Sequence, residues 1–146
     1  MANRRLYVLD HCTYDCQYHI VWVTKWRGKI LTDKYIKQEL KSVFRRIADW
    51  KGLVINSWHV GDEHVHLIIT IPPKYSVAYI IQVLKAKTSG WIKKKTKKLP
   101  KGSLWARGYF VSTIGLEQAM VKNYVDKQHI HHTELPTLFD KQKVGV

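Results

Sequence analysis

The spacing of hydrophobic positions changes several times along the chain, and each change marks a predicted element. From Thr13 to Trp26 the residues are mainly β-branched and aromatic, without Gly or Pro, which predicts a strand. Between Thr32 and Gly52 apolar residues recur every three to four positions, which predicts a helix that begins at an N-cap Thr32 and ends at Gly52. The apolar positions of this helix are Ile36, Leu40, Val43, Phe44, Ile47 and Trp50.

The following segments predict a hairpin, a second helix, a short strand and a last helix. Leu53 to Val60 and His64 to Ile71 have the composition of strands, and the short turn from Gly61 to Glu63 joins them as an antiparallel pair. Helical spacing returns from Val77 to Ile92. After a short strand from Tyr109 to Gly115, it returns again in a helix that starts just after this glycine.

This order of elements predicts the fold class. The order β, α, β, β, α, β is the split βαβ arrangement of ferredoxin-like and RRM-like domains, an α+β fold with an antiparallel sheet, and here a further C-terminal helix follows it. A chain of 146 residues suits one domain, which we assign to residues 1–146. The chain after Pro136 has no periodicity, and residues 131–146 are expected to form a flexible tail.

The alternation of side chains along the strand His64 to Ile71 assigns them to the two faces of the sheet. The apolar set, which we expect to face the helices, consists of Val65, Leu67, Ile69 and Ile71. His64 and His66 then lie on the opposite, open face together with Ile68 and Thr70. Imidazoles are costly beside an apolar run unless they have a role, so this pair is a candidate site.

The charge of the chain indicates a polyanionic partner. Lys and Arg number 25 against 11 Asp and Glu, which gives a net charge of +14. Nucleic acid is the first expectation, and an anionic membrane surface is the second. No apolar stretch approaches the roughly 20 residues that span a bilayer, and the N-terminus lacks the apolar region of a signal peptide. We therefore expect a cytoplasmic, nucleoid-associated protein without a membrane partner.

One stretch combines many cations with aromatic residues, the mixture expected where phosphates are neutralised and unpaired bases stack. A run of charge is also typical of a solvated surface, and this alternative stays open. The candidate DNA-binding residues are Lys85, Lys87, Lys93, Lys94, Lys95, Lys97, Lys98, Lys101, Arg107, Trp91 and Trp105.

Two further motifs carry candidate chemistry. His64 and His66 are two apart on a strand, so their Cβ atoms lie about 6–7 Å apart on one face, close enough for two imidazoles to bind one metal ion. A hydrogen-bonded, half-exposed pair is the alternative. Tyr124 and Gln128 are four apart on the last helix and share a face, where the amide can offer a carbonyl oxygen beside the hydroxyl. Taken alone, Tyr124 is better explained as a residue that packs against the core with its hydroxyl at the surface.

In combination, these motifs resemble the HUH single-tyrosine transposases of the IS200/IS605 type. The resemblance extends from "YHIVWVTKWRGKIL" through "DEHVHLII" and "LWARGYFVSTIG" to "NYVDKQ", in the order found in the family. Members of the family usually carry Asp directly before the first metal-binding His. Glu63 stands there in this chain, with Asp62 one residue earlier, which leaves the role of that carboxylate open.

The resemblance implies a function and a set of site residues. His64, His66 and Gln128 would bind Mg²⁺ or Mn²⁺, and Tyr124 would be the catalytic nucleophile that forms a 5′-phosphotyrosine. The substrate would be single-stranded DNA, with hairpins at the ends of an insertion sequence. The protein would be a homodimer with shared active sites, in which the last helix of one subunit brings Tyr124 and Gln128 to His64 and His66 of the other.

Other functions share parts of this pattern. A noncatalytic single-strand binder of the RNA-recognition type has the same topology, but it leaves the histidines, the tyrosine and the glutamine unexplained as a set. HUH replication initiators and relaxases also use paired histidines and a tyrosine, yet they typically place Lys four residues after the tyrosine and carry further domains. A two-histidine phosphodiesterase needs two separated His-x-Ser/Thr motifs, which this sequence lacks.

Overall fold

The computed structural model describes residues 6–95, 102, 104–113 and 118–130, apart from the side chains of residues 26, 118–120 and 128–130. No helix in these ranges is long and apolar enough to cross a membrane. The strands are β1 (Tyr7–Leu9), β2 (Cys12–Tyr14), β3 (Gln17–Val23), β4 (Val54–Val60), β5 (His64–Thr70) and β6 (Phe110–Ser112). The α-helices are α1 (Lys34–Lys51), α2 (Val77–Lys95) and α3 (Gln118–Ile130), and a 3₁₀-helix spans Lys25–Arg27.

The main sheet has the strand order β4-β5-β3-β6, with antiparallel neighbours throughout. Together with the order of the helices, this arrangement confirms the predicted ferredoxin-like split βαβ fold. The stretch predicted as one strand is divided: β2 ends at Tyr14 and pairs with β1 in a separate hairpin, while β3 begins at Gln17. The two residues between them let the chain leave the small hairpin and enter the centre of the main sheet.

The main core lies between the sheet and the helices α1 and α2. Trp22 of β3 is fully buried and meets Phe44 of α1 edge to face, with ring centroids 5.9 Å apart. The apolar residues of β5 belong to the same core, as the alternation predicts: Val65, Leu67 and Ile69 are fully buried. Each such side chain contributes roughly 1.5–3 kcal/mol by leaving water.

The ends of α1 follow capping chemistry, with one difference from the prediction. The N-cap is Asp33, whose side chain accepts a hydrogen bond from the backbone N–H of Tyr35, so the prediction of Thr32 as the cap is wrong by one residue. The helix ends at Gly52 as predicted. Gly52 has φ +68°, a left-handed conformation that glycine adopts without steric cost, and its N–H donates to the Ala48 carbonyl.

Helix α3 lies on the face of the sheet opposite α1 and α2. Tyr124 and Val125 of this helix form a second, smaller core with Val21 and Val23, which point away from the main core. The C-terminal helix therefore packs over the face that carries the histidines.

Candidate active site

His64 and His66 share the open face of the sheet, as predicted. The neighbouring Val65 and Leu67 are fully buried in the main core, so the alternation of β5 turns both histidines the other way. In the strand register His66 lies opposite Val21 of β3, a residue of the core beneath α3. Since β5 lies between β4 and β3, the pair occupies the middle of the sheet and not its edge.

The ring of His64 is held by its neighbour Glu63. The imidazole Nδ1 lies 3.2 Å from the Glu63 Oε1, and the Glu63 backbone carbonyl accepts a hydrogen bond from the Thr24 N–H at 2.9 Å. A proton on Nδ1 directed at this carboxylate leaves the lone pair of Nε2 free. Gly61 makes room for the ring, because a Cβ at this position would lie 2.5 Å from the His64 Cε1.

The imidazole of His66 makes fewer polar contacts than that of His64 in the described part of the chain. Its Nε2 is buried and has no hydrogen-bond partner among the described residues. Burial lowers the pKa of His66, and the neighbouring His19, His59 and His64 lower it further. The imidazole is therefore held neutral, with a nitrogen lone pair that a metal ion could use.

Two other histidines complete this face, and neither of them is part of the His-hydrophobe-His motif. The His19 ring centroid lies 5.9 Å from that of His66, and the His59 ring centroid lies 5.7 Å from that of His64. His59 stands directly opposite His66 in the pairing of β4 with β5. The alternation of side chains along each strand assigns each histidine to one face of that strand, but only the strand register shows that all four lie together.

A cleft of about 560 Å³ lies between the histidines and the neighbouring part of α3. No group of three or more His, Cys, Asp and Glu side chains within the described ranges is arranged to hold a metal ion. The two histidines can therefore supply two ligands of a metal site, and a residue of another type is needed as the third ligand. The cleft is lined by His59, Glu63, His64, His66, Val121, Lys122, Val125 and Asp126.

Tyr124 lies on α3 but does not line this cleft. Its side chain is 2% exposed and packs against Val21 and Val23, with the Phe110 ring centroid 5.7 Å from its own. Within the part of the chain that the structure describes, the Tyr124 hydroxyl is buried without a hydrogen-bond partner, and burial raises its pKa well above the usual value. This hydroxyl is held neutral and outside the lining of the histidine cleft.

Helix α3 covers part of the open face of its own chain. The resemblance implies that the last helix serves the histidines of a second subunit, and this exchange between subunits stays a prediction. An ion pair between Arg27 Nη1 and Asp126 Oδ1, 3.2 Å apart, joins α3 to the 3₁₀-helix. Both side chains are partly exposed, so this pair contributes little energy and mainly fixes position.

Gln128 belongs to α3 and follows Tyr124 by about one helical turn. Its side chain lies outside the described part of the chain, as do residues 131–146. The proposed ligand role of Gln128 and the flexible tail therefore stay predictions.

The structure assigns structural roles to two of the candidate DNA-binding residues. Trp105 is 2% exposed, its Nε1 donates to Thr88 Oγ1 at 2.9 Å, and its ring meets Trp22 edge to face. The prediction that Trp105 stacks on a base is wrong for this arrangement, because its ring is enclosed in the core. Lys85 donates through Nζ to the carbonyls of Ala106 at 2.7 Å and Gly108 at 3.0 Å, so it ties the returning chain to α2.

The burial of Lys85 predicts a dependence of stability on pH. Burial lowers the pKa of Lys85 to about 8, whereas an unfolded lysine titrates near 10.5. Between these values the unfolded chain binds more protons, so this residue should make the free energy of unfolding rise with pH. Urea titrations at pH 8 and pH 10 should show the rise in the wild type and a smaller one in Lys85→Met. Lys87→Met, at an exposed neighbour, should match the wild type; an identical rise in all three would contradict the assignment.

The other candidates divide into packed, exposed and undescribed residues. Trp91 is half-buried between the helices, where its Nε1 donates to Glu39 Oε2 at 3.1 Å and the Arg46 guanidinium lies 4.9 Å from its ring centroid. Its indole N–H and one region of its ring are thus already used in packing. Lys97, Lys98 and Lys101 lie outside the described residues. The remaining cations are the half-buried Lys93 and the exposed Lys87, Lys94, Lys95 and Arg107.

Comparison with known proteins agrees with this geometry. The family model described as "Transposase IS200 like" matches residues 12–128. The transposase for insertion sequence element IS200 of Salmonella typhimurium is 31% identical over 127 residues, which cover 82% of this chain and 81% of the relative. The ISDra2 transposase TnpA of Deinococcus radiodurans is 27% identical over 121 residues, covering 80% of this chain and 86% of its own.

Solved structures agree as well. A transposase crystal structure from Deinococcus radiodurans R1 has a TM-score of 0.73 at 29% identity and covers 88% of this chain and 98% of its own. The structure of a REP-associated tyrosine transposase bound to a REP hairpin has a TM-score of 0.53 at 20% identity, covering 86% of this chain and 69% of its own, and supports the fold alone.

The agreement in sequence and fold defines the class of protein as a transposase, an enzyme that processes DNA. The chain belongs to the IS200-like transposase family. Because the family match spans most of the chain, we set aside the noncatalytic binder, the replication initiator or relaxase, and the two-histidine phosphodiesterase.

Proposed function

We propose that the chain cleaves and rejoins single-stranded DNA at the ends of an insertion sequence, through a covalent link to Tyr124 and with a divalent metal ion held by His64, His66 and Gln128. The observation that supports the metal site is the Nε2 of His66, which is buried without a hydrogen-bond partner among the described residues. His64 lies beside it, and its Nδ1 faces the Glu63 carboxylate, which leaves its Nε2 available to a metal ion. Two imidazole nitrogens with free lone pairs on one cleft can supply two of the ligands of a metal ion.

The third ligand would be the side-chain carbonyl oxygen of Gln128. An amide oxygen is a hard ligand, which suits Mg²⁺ or Mn²⁺ better than a thiolate would. When bound, the ion supplies positive charge to a nonbridging phosphate oxygen, offsetting the charge that develops at phosphorus. Glu63 would position His64, since a carboxylate that accepts a hydrogen bond from Nδ1 fixes the tautomer and the orientation of the ring.

The covalent step would use the oxygen of Tyr124. This oxygen attacks the phosphorus as its proton leaves, the bond from phosphorus to the 3′ oxygen breaks, and the 3′ oxygen takes up a proton to become a free hydroxyl. The DNA 5′ phosphate is then a phosphodiester of tyrosine. A 3′-hydroxyl that attacks this link reverses the step and joins a new strand, so rejoining consumes no ATP.

Tyr124 must change its surroundings before it reacts. Its hydroxyl is buried without a partner in the described part of the chain, and burial raises its pKa, so it is a poor nucleophile where it lies. Movement of α3 away from Val21 and Val23 would expose the hydroxyl. We propose that this helix then lies on the second subunit of a two-fold dimer, which would place Tyr124 and Gln128 beside the partner's histidine pair.

The substrate class follows from the family and from charge. The REP-associated tyrosine transposase structure holds a REP hairpin, and we extend hairpin-containing single-stranded DNA to this chain as its substrate. A net charge of +14 supports a polyanion of this kind. Action on chromosomal DNA would place the protein in the cytoplasm with the nucleoid.

The test combines metal binding with strand cleavage. Labelled single-stranded DNA from the flanks of the gene is expected to be cut with Mg²⁺ or Mn²⁺ and to stay intact in EDTA. His66→Ala should lose both Mn²⁺ binding, followed by calorimetry, and cleavage, because it removes one of the proposed nitrogen ligands. His11→Ala, at an exposed histidine of the small hairpin, is the matched control and should keep both. Full cleavage in EDTA would refute the metal site.

A further inference from the structure

The helices α1 and α2 concentrate the positive charge of the protein. Six Lys and Arg residues stand in α1 against two acidic residues, and five lysines stand in α2 with none. These two helices supply more than half of the net charge of +14. They cover the side of the sheet opposite the histidine cleft, so this charge does not belong to the active site.

A group of aromatic and cationic side chains lies near the C-terminal end of α1. Trp50 is 61% exposed, and the Lys51 Nζ lies 3.9 Å from its ring centroid. Lys51 Nζ also donates to the Tyr79 hydroxyl at 2.9 Å, and Tyr79 of α2 is 40% exposed. Lys87 of α2 completes the group, with its Nζ 5.9 Å from the Trp50 ring centroid.

Trp50 differs from the two tryptophans that pack, half-buried, against the main core. Trp58 and Trp91 are half-buried, and cations of α1 pack over their rings as part of the contact with the main core. Trp50 instead leaves most of its indole in water, with lysines beside it. Lysine ammonium groups are only weakly held over exposed rings, so a stacking base can displace them toward its phosphates.

We propose that this surface, made of Trp50, Lys51, Tyr79 and Lys87, binds single-stranded DNA outside the active site. An unpaired base stacks on Trp50, and the lysines neutralise the flanking phosphates. Duplex DNA satisfies the charge but offers no free base for the exposed ring, and therefore single-stranded DNA is the ligand that uses both features. The inference rests on the proposed function for the identity of the nucleic acid, but not on the metal site or on Tyr124.

The test measures the affinity of the full chain for fluorescein-labelled oligo(dT) in EDTA, by anisotropy. Trp50→Ala is expected to weaken binding roughly 5- to 150-fold, the range for loss of one aromatic stacking contact, and Trp50→Phe should restore most of it. Lys87→Gln should lower the slope of log affinity against log salt by about 0.7, the value for one phosphate contact of a single strand. Binding to a duplex of equal length should be nearly unchanged in Trp50→Ala.

Tyr35→Ala is the matched control, because Tyr35 is 48% exposed at the opposite end of the same helix and should leave the affinity unchanged. Circular dichroism should show that each variant is folded. Wild-type affinity in Trp50→Ala overturns the proposal, and so does an equal loss for duplex and single strand. If the wild type cleaves single-stranded DNA while Trp50→Ala binds it normally, only this surface is refuted; if the wild type binds no single-stranded DNA, the proposed function falls too.

Discussion

Tyr124→Phe is expected to abolish the covalent DNA adduct and, at the same time, to stabilise the folded chain. The ring packs with Val21, Val23 and Phe110, and phenylalanine keeps those contacts. The hydroxyl that it loses is buried without a partner in the described ranges, and leaving such a group unsatisfied costs about 1–3 kcal/mol. Urea unfolding should therefore show a gain in free energy of about that size, less the cost of a small void.

The loss of activity should be complete, because the oxygen that would attack phosphorus is gone. Denaturing gels and mass spectrometry of the wild type should find DNA attached at Tyr124, and the variant should show no adduct. Tyr35→Phe is the control: its ring is 48% exposed, so neither stability nor adduct should change. Attachment at another residue would refute the assignment of the nucleophile, and a clear loss of stability in Tyr124→Phe would contradict the buried position of the hydroxyl.

The fold and the histidine pair could be predicted because they depend on how hydrophobic residues repeat within short stretches of the sequence. Alternation along β5 assigns Val65 and Leu67 to the core and His64 and His66 to the other face, and the structure confirms it. The helix α1 is equally local, since its apolar spacing and Gly52 define it without knowledge of the rest of the chain. The N-cap was missed by one residue because Thr32 and Asp33 are both good capping types and only the backbone distinguishes them.

The roles of Trp105 and Lys85 could not be predicted because they depend on where the chain returns after α2. In sequence both stand in a basic, aromatic stretch, which is typical of nucleic-acid binding. In the structure Trp105 pairs with Thr24 in an isolated β-bridge, so this stretch is drawn into the sheet and the core. Composition describes what a segment could bind, but burial decides which of its side chains are available.

The grouping of four histidines on one face could not be predicted either, because it also depends on contacts between distant parts of the chain. His19 and His59 are far apart in sequence, and neither is part of the His-hydrophobe-His motif. They reach His64 and His66 only through the pairing of β3 and β4 with β5. The motif therefore indicated the site, while the register supplied its surroundings.

A mixture of two inactive variants, Tyr124→Phe and His64→Ala, is expected to regain cleavage activity. In a two-fold dimer with exchanged helices, the heterodimer joins the histidines of the Tyr124→Phe subunit to the tyrosine of the His64→Ala subunit. One of its two sites is then intact. With random exchange half of the dimers are of this kind, so roughly a quarter of the wild-type sites should return.

The same mixture decides between this arrangement and the one in which α3 stays on its own sheet. If the site is formed within one chain, each subunit lacks either its tyrosine or a histidine, and mixing restores nothing. Mixing Tyr124→Phe with the Tyr124→Phe/His64→Ala double variant is the control, because no arrangement of those chains contains an intact nucleophile. Subunits of different mass should show by native mass spectrometry that exchange has occurred. Exchange without recovered cleavage would mean that α3 reacts from the sheet of its own chain, after only local movement past Val21 and Val23.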